Sequence, residues 1–276
     1  MTAEAMTQGP VLLVRARGGE DGDADALRAL GITVIEDPYL VVATCTDDGA
    51  IGRARSVLTA LRDEADLLLL TSRASLRALD VLVGRAELVA AVREGMARGL
   101  RGAAVGPSTA EALRELGLTD VLEPAVATSR GLLAALRARA VDEGHAAGRA
   151  VLPCGAQAMK GLGGGLVEDG WQVDEVVVYV TEDIEGVPPS VAALAAGDIR
   201  AVVLRSPTAV RAVARHVPVL PAGTTIVCGG PTTAAAASAT WSVAPVVSEG
   251  PTADAVARTV AAVLAETAGS TEEAGA

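Results

Sequence analysis

The sequence predicts an α/β protein built from two similar domains, each a parallel sheet with helices on both faces. Three observations carry that prediction. Short apolar runs alternate with amphipathic stretches along the chain, the pattern of strands joined by crossover helices. One unit of this pattern occurs twice: a buried strand ending in Ser (Leu67 to Ser72, Ala201 to Ser206), a helix, a second strand ending in Gly-Pro (Gly106-Pro107, Gly230-Pro231), and a hydroxyl pair opening another helix (Ser108-Thr109, Thr232-Thr233). Finally, the 276 residues are 50% hydrophobic and 21% charged with no Phe, so the chain buries a core made of Ala, Val and Leu rather than staying disordered.

The elements follow in order. Residues 1–9 are expected to fray. Val11 to Val14 is a buried strand, and a Gly/Asp-rich loop leads to a short helix from Ala24 that Gly31 stops. Ile32 to Ile35 is the next strand, followed by an extended segment, Pro38 to Val42. Ala50 to Leu61 is an amphipathic helix with Ile51, Ala54, Val57, Leu58 and Leu61 on one face. Leu67 to Leu70 is a strand, and Ser72 caps a helix bearing Leu76, Leu79, Leu82 and Val83. Ala103 to Val105 is a strand; Ser108 with Glu111 reads as a capping box, and Gly117 ends that helix. Val121-Leu122 is a short strand, and Thr128 or Ser129 caps the helix of Leu132, Leu133 and Leu136.

The opening strand–helix–strand unit returns at Ala150 to Leu152, with Val11 matching Val151 and Gly31 matching Gly170; it ends in Val173 to Val180, which carries Tyr179. A Gly-rich helical stretch lies between the two strands, and within it Gly161 to Gly165, which fits neither nucleotide-binding spacing, reads as a loop. Pro188-Pro189-Ser190 opens a helix, Ala201 to Leu204 is a strand, and Ser206 with Pro207 at the first helical position is a strong start signal. Strands at Thr225 to Cys228 and Val243 to Val247, a helix at Thr232 and a last helix from Thr252 complete the set, before a polar tail from Gly269. This order gives one continuous domain, 44–176, and one split domain, 10–38 plus 183–267. The segments 39–43 and 177–182 cross between them as a two-stranded ladder and hinge, and 1–9 and 268–276 are disordered tails.

The formal net charge of −11 repels DNA and anionic lipid, and the scarcity of aromatics removes the stacking platforms that single-stranded nucleic acid needs. Cys45, Cys154 and Cys228 are isolated, the usage of a reducing compartment, and read as small buried residues. Met1 to Pro10 lacks the regions of a signal peptide and no stretch approaches a membrane span, so a soluble cytoplasmic protein is expected. The chain has no G-x-G-x-x-G after the first strand, no G-x-x-x-x-G-K-[ST] and no G-x-S-x-G, and His145 and His216 stand far apart. Neither a dinucleotide nor a nucleoside triphosphate site is therefore indicated, and no metal site is expected.

The remaining chemistry lies at strand-to-helix junctions: Thr71/Ser72, Ser108/Thr109, Ser206 and Thr232/Thr233. Ser and Thr there serve as plain helix caps. Open α/β sheets also bind ligands beyond the carboxyl ends of their strands, where helix N-termini present N–H groups to carboxylates or phosphates. Both roles fit one junction. Arg15, Arg73 and Arg205 lie near enough in sequence to add charge, and each also reads as a solvated surface residue.

The pieces Val11 to Arg15, Leu70-Thr71-Ser72, Val105 to Ala110, Val178 to Thr181, Ser206 to Val210 and Gly230 to Ala234 together resemble the uroporphyrinogen-III synthase family, in a layout extending from Val11 to Leu264. Arg205 stands where a hydroxyl residue is common in that family, and Cys154-Gly155 replaces a commoner basic pair. The resemblance implies two flavodoxin-like domains joined by a two-stranded ladder with a cleft between them, a monomer without cofactor or metal, and closure of linear hydroxymethylbilane with loss of water and inversion of its last ring. It implies hand-off from an upstream hydroxymethylbilane synthase, and it places a functional tyrosine at Tyr179, which also reads as a packing residue of its strand. Arg15, Thr71, Ser72, Ser108, Thr109, Ser206, Thr232 and Thr233 would then hold substrate carboxylates. A non-catalytic tetrapyrrole- or anion-sensing module of the same fold is the alternative; a phosphosugar enzyme is disfavoured by the lack of a catalytic base.

Overall fold

The computed structural model describes residues 9–17, 22–143, 147–157 and 161–273. Its contacts divide the chain into two compact units, residues 1–41 with 182–276 and residues 42–181. The chain therefore passes from one unit to the other twice.

The first unit contains β1 (Val11–Arg17), α1 (Asp23–Ala29), the start of β2 (Val34–Thr44) and the end of β7 (Gln172–Asp183). It continues with α8 (Val191–Ala196), β8 (Ala201–Leu204), α9 (Pro207–His216), β9 (Thr225–Cys228), α10 (Pro231–Trp241), β10 (Val246–Val247) and α11 (Ala253–Glu273). Its strands lie in the order β2-β1-β8-β9-β10, all parallel, with Val11 opposite Val34 on one side and Ala201 on the other. The second unit holds the rest of β2 and β7 with α2 (Ala50–Asp63), β3 (Leu67–Leu70), α3 (Arg73–Val83), α4 (Arg85–Met96), β4 (Arg101–Ala104) and α5 (Pro107–Glu115). β5 (Val121–Leu122), α6 (Ser129–Glu143), β6 (Arg149–Gly155) and α7 (Gly161–Glu168) complete it. Its order, β7-β6-β3-β4-β5, is the same path with β6 and β7 in the places of β1 and β2. This is the strand order of flavodoxin-like sheets, and the duplication seen in the sequence is a duplication of topology.

Alternation along each strand explains the unbroken apolar runs. Leu68 and Leu70 pack into the core under α2–α5, while Leu67 and Leu69 face the core under α6 and α7. In the first unit Leu12 and Val14 face one layer of helices, and Val11 and Leu13 the other. A strand buried on both faces has no polar positions to alternate. Each fully buried Leu contributes roughly 1.5–3 kcal/mol by burial alone.

Several elements differ from the sequence expectation. Gly161 to Gly165 belongs to the Gly-rich helix expected between the two strands and is not itself a loop. A Cβ at Gly163 would meet the Glu175 carboxylate and one at Gly165 would meet Leu133, so these glycines provide room for close packing rather than a turn. The helix opened by Ser72 breaks at Gly84 (φ 86°), and α4 follows as a separate helix. The Ser108 capping box does not form: Pro107 takes the first helical position, which makes Gly106 the N-cap. The Thr232 helix likewise starts from Gly230 and Pro231. β2 is one strand where the sequence predicts two segments, β10 is limited to Val246–Val247, and α11 runs to Glu273, past the expected start of the tail at 268. The expected tail 1–9, apart from Gly9, lies outside the described residues, as do 274–276, His145 and part of the first loop.

Candidate active site

In the second unit the carboxyl ends of β3 and β6 are neighbours, and this is the point where the strand path reverses. Such switch points are where open α/β sheets place ligands. Leu67–Leu70 ends in Thr71 and Ser72. Ser72 is extended (φ −157°), and its Oγ accepts the Ala74 N–H at 3.1 Å, capping α3. α3 is fastened to β6 by the buried Ser75 hydroxyl, which donates to the Pro153 carbonyl at 2.7 Å.

Tyr179 reaches the same place from β7. Cys154 pairs with Val177 but Gly155 pairs with Tyr179, so β7 holds one extra residue, Val178, in a bulge. The Ala156 N–H donates to the Tyr179 carbonyl at 2.9 Å, and the Gln157 side chain clasps Thr181, donating to its carbonyl (2.9 Å) and accepting its N–H (3.1 Å). The Tyr179 phenol lies beside the Ser72 hydroxyl, near enough for the two to interact. Burial pushes that phenol above the ordinary 10.0; the Ser72 hydroxyl offsets part of the rise and the nearby Cys154 thiol adds to it. The group is a protonated donor at neutral pH.

Ser108 and Thr109 open α5 at the next strand end. Ser108 is exposed, Thr109 is buried, and no side chain caps the helix. Pro107 has no N–H and the Thr109 N–H bonds the Gly106 carbonyl at 3.1 Å, so the Ser108 N–H is the first-turn amide left to meet a carboxylate. The first unit repeats the arrangement. Ser206 caps α9 through the Ala209 N–H at 3.2 Å, while α10 starts at Gly230 without a side-chain cap, with Thr232 exposed and Thr233 buried.

The arginines are held by local carboxylates. Arg15 and Arg28 both engage Glu36. Arg205 pairs with the buried Asp23 at 3.4 Å and donates to the Pro251 carbonyl at 2.6 Å, and Arg73 lies 3.9 Å from Glu115. Tyr39 is not the counterpart of Tyr179. The β1–β2 register shifts between Arg15 and Ala16, so Tyr39 occupies the bulge position of Val178 and Leu40 that of Tyr179. Its buried hydroxyl bonds Ser190 Oγ at 2.9 Å, and the Ser190 N–H donates to Asp37 at 2.7 Å. A cavity of about 270 Å³ beside Trp171 opens at Leu67 and Arg101, the amino ends of β3 and β4, away from these hydroxyls. Among the described residues no cluster of three or more His, Cys, Asp or Glu is placed to hold a metal ion, and no helix is long and apolar enough to cross a membrane.

A family model described as uroporphyrinogen-III synthase HemD matches residues 21–258. The chain belongs to the uroporphyrinogen-III synthase family. The fold is similar to that of the uroporphyrinogen-III synthetase of Helicobacter pylori, with a TM-score of 0.61, 11% identity, and 92% of this chain and 99% of that one covered. It is also similar to a mutant uroporphyrinogen III synthase of the extremely thermophilic bacterium Thermus thermophilus, with a TM-score of 0.53, 18% identity, and 93% and 99% covered. No curated protein matches the sequence. One residue that sequence reading passes over is Gly155, which stands out there only as part of an unusual pair; its partner in space is Tyr179.

Proposed function

We propose that this chain closes linear hydroxymethylbilane to uroporphyrinogen III and that Tyr179 assists departure of the substrate hydroxyl. The single observation that carries the residue assignment is the place of the Tyr179 ring, set by the β7 bulge opposite Gly155 and beside the Ser72 hydroxyl at the carboxyl ends of the strands. Ser72 Oγ accepts the Ala74 N–H. Its own proton can then be given to Tyr179 Oη, which leaves the phenolic proton for the substrate. As the pyrrole nitrogen lone pair pushes out the hydroxyl, the C–O bond breaks, the Tyr179 proton completes a water molecule, and an N-protonated azafulvene cation results beside the phenolate. The phenolate regains a proton from the substrate during closure.

The second task is positioning. Uncatalysed closure gives the symmetrical isomer; isomer III needs the substituted position of ring D to attack first and form a spiro intermediate. Holding a flexible four-pyrrole chain in that geometry is catalysis by reduced entropy. Ser108 and Thr109 with the Ser108 N–H, Thr232 and Thr233 with the adjacent N–H groups, and Thr71, Ser72, Ser206 and Arg15 are the groups assigned to its carboxylates. Residues 10–38 with 183–267 form one domain and 44–176 the other, joined through 39–43 and 177–182. The protein acts as a cytoplasmic monomer that takes its substrate from hydroxymethylbilane synthase.

The test is a coupled assay in which hydroxymethylbilane is generated from porphobilinogen, the product is oxidised and the porphyrin isomers are separated. Isomer III is expected in excess; isomer I alone from folded protein would overturn the activity. Tyr179→Phe is expected to lower turnover at least tenfold with its circular dichroism unchanged. Wild-type turnover would remove Tyr179 from the mechanism.

A further inference from the structure

We propose that Gly155 is the positioning residue for Tyr179: the absence of a side chain there makes the space in which the phenol lies and keeps its hydroxyl at Ser72. The inference rests on the assignment of Tyr179 above and adds the device that aims it.

A Cβ built on Gly155 would stand 2.6 Å from Tyr179 Cε2, 2.6 Å from Cζ and 3.0 Å from Oη. All three of its nearest atoms belong to that one ring, and the first two lie closer than real Cβ atoms come. Glycine is not needed here for its backbone, since Gly155 is not among the glycines with positive φ. It is buried, at the last position of β6, and the bulge places Tyr179 directly opposite.

The other unit supplies a control. The same register shift puts Ala16 opposite Leu40. Where the facing residue is not a ring, a Cβ is tolerated; where it is Tyr179, the position is Gly. Because the obstacle is the tip of a side chain and not backbone, Gly155→Ala is expected to fold with the ring turned aside. The phenol then leaves Ser72, and the proton is no longer delivered to the departing oxygen.

The experiment compares Gly155→Ala, Tyr179→Phe and the double variant in the coupled assay, with folding checked by circular dichroism. Gly155→Ala is expected to lower kcat at least tenfold with KM changed less than threefold, and the double variant to be no slower than Tyr179→Phe alone. The phenol is read directly as well. The chain has two tyrosines, so in a Tyr39→Phe background ultraviolet titration follows Tyr179, and Gly155→Ala is expected to bring its midpoint down toward the free tyrosine value. Wild-type kcat and an unmoved titration in Gly155→Ala, with Tyr179→Phe slow, would overturn the positioning role and leave the Tyr179 assignment standing. Wild-type turnover in Tyr179→Phe would overturn both. If Gly155→Ala fails to fold, Gly155→Ala/Tyr179→Leu, which copies the Ala16/Leu40 pair, decides: a folded double variant traces the failure to the ring and supports the proposal, and an unfolded one overturns it.

Discussion

Ser72→Ala and Ser206→Ala remove the same atom from the same topological position in the two units, yet they should not cost the same. Ser206 Oγ accepts one amide, at 3.2 Å, as the cap of α9. Losing an N-cap of this kind costs about 1 kcal/mol. Ser72 Oγ caps α3 in the same way but also lies beside the half-buried Tyr179 phenol as its polar partner. Its removal costs the cap plus about 1–3 kcal/mol for a phenol left without a partner, about 2–4 kcal/mol in all. The two tryptophans separate the effects, because Trp171 lies in the second unit and Trp241 in the first. Urea unfolding followed by fluorescence in single-tryptophan variants should show Ser72→Ala lowering the Trp171 midpoint by about 1–2 M, taking m as about 2 kcal/mol/M. On the same slope, Ser206→Ala should lower the Trp241 midpoint by about 0.5 M. In a Tyr179→Phe background the Ser72→Ala loss should shrink to that of the cap alone. Equal shifts for the two serines, or an undiminished Ser72→Ala loss without the phenol, would refute the reasoning.

Four further outcomes are expected. Leu69→Ala, at a fully buried position of β3, should cost about 2–5 kcal/mol in the same urea experiment. Gly52→Ala should stabilise by about 0.5–1 kcal/mol, since Gly52 is in α2 with open space at its Cβ, whereas Gly84→Ala should destabilise because φ there is +86°. Burial pushes the Cys228 thiol from 9.0 up to about 11, so the folded chain holds this proton over a range in which the unfolded chain has released it. Stability from this group is whole below pH 9 and falls as pH rises from 9 toward 11. Cys228→Ala should flatten that part of a stability–pH curve.

What the sequence makes legible is whatever is settled locally. Ser72 and Ser206 cap helices because the residues after them offer amides within one turn, and the strand residues Leu67 to Leu70 announce themselves because both faces are buried. Local signals also mislead. Ser108 with Glu111 has the spacing of a capping box, but Pro107 before it already fits the first helical position and moves the cap to Gly106. The glycines of α7 look like chain breakers, yet they make room for Glu175 and Leu133, side chains that come from other elements. The contact of Tyr179 with Ser72, and the bulge that sets Tyr39 one place out of step with it, depend on how strands distant in sequence register against one another. No periodicity within a single strand contains that information.

The double crossing between units also orders events during synthesis. The residues of the inserted unit, 42–181, are all made before β8 exists. β1 is a central strand of the other unit, with Val11, Leu12 and Leu13 fully buried, and its partner beyond Val11 is Ala201. At about 5–20 residues per second, the ribosome leaves that apolar strand without its second neighbour for roughly 10–40 s. The earliest strand to emerge is thus among the last to be enclosed, and the nascent chain carries an open, sticky edge through most of its translation. A ribosome stalled just short of β8 should hold a finished inserted unit beside an unfinished host, with the β1 edge as the surface that a holding chaperone would grip.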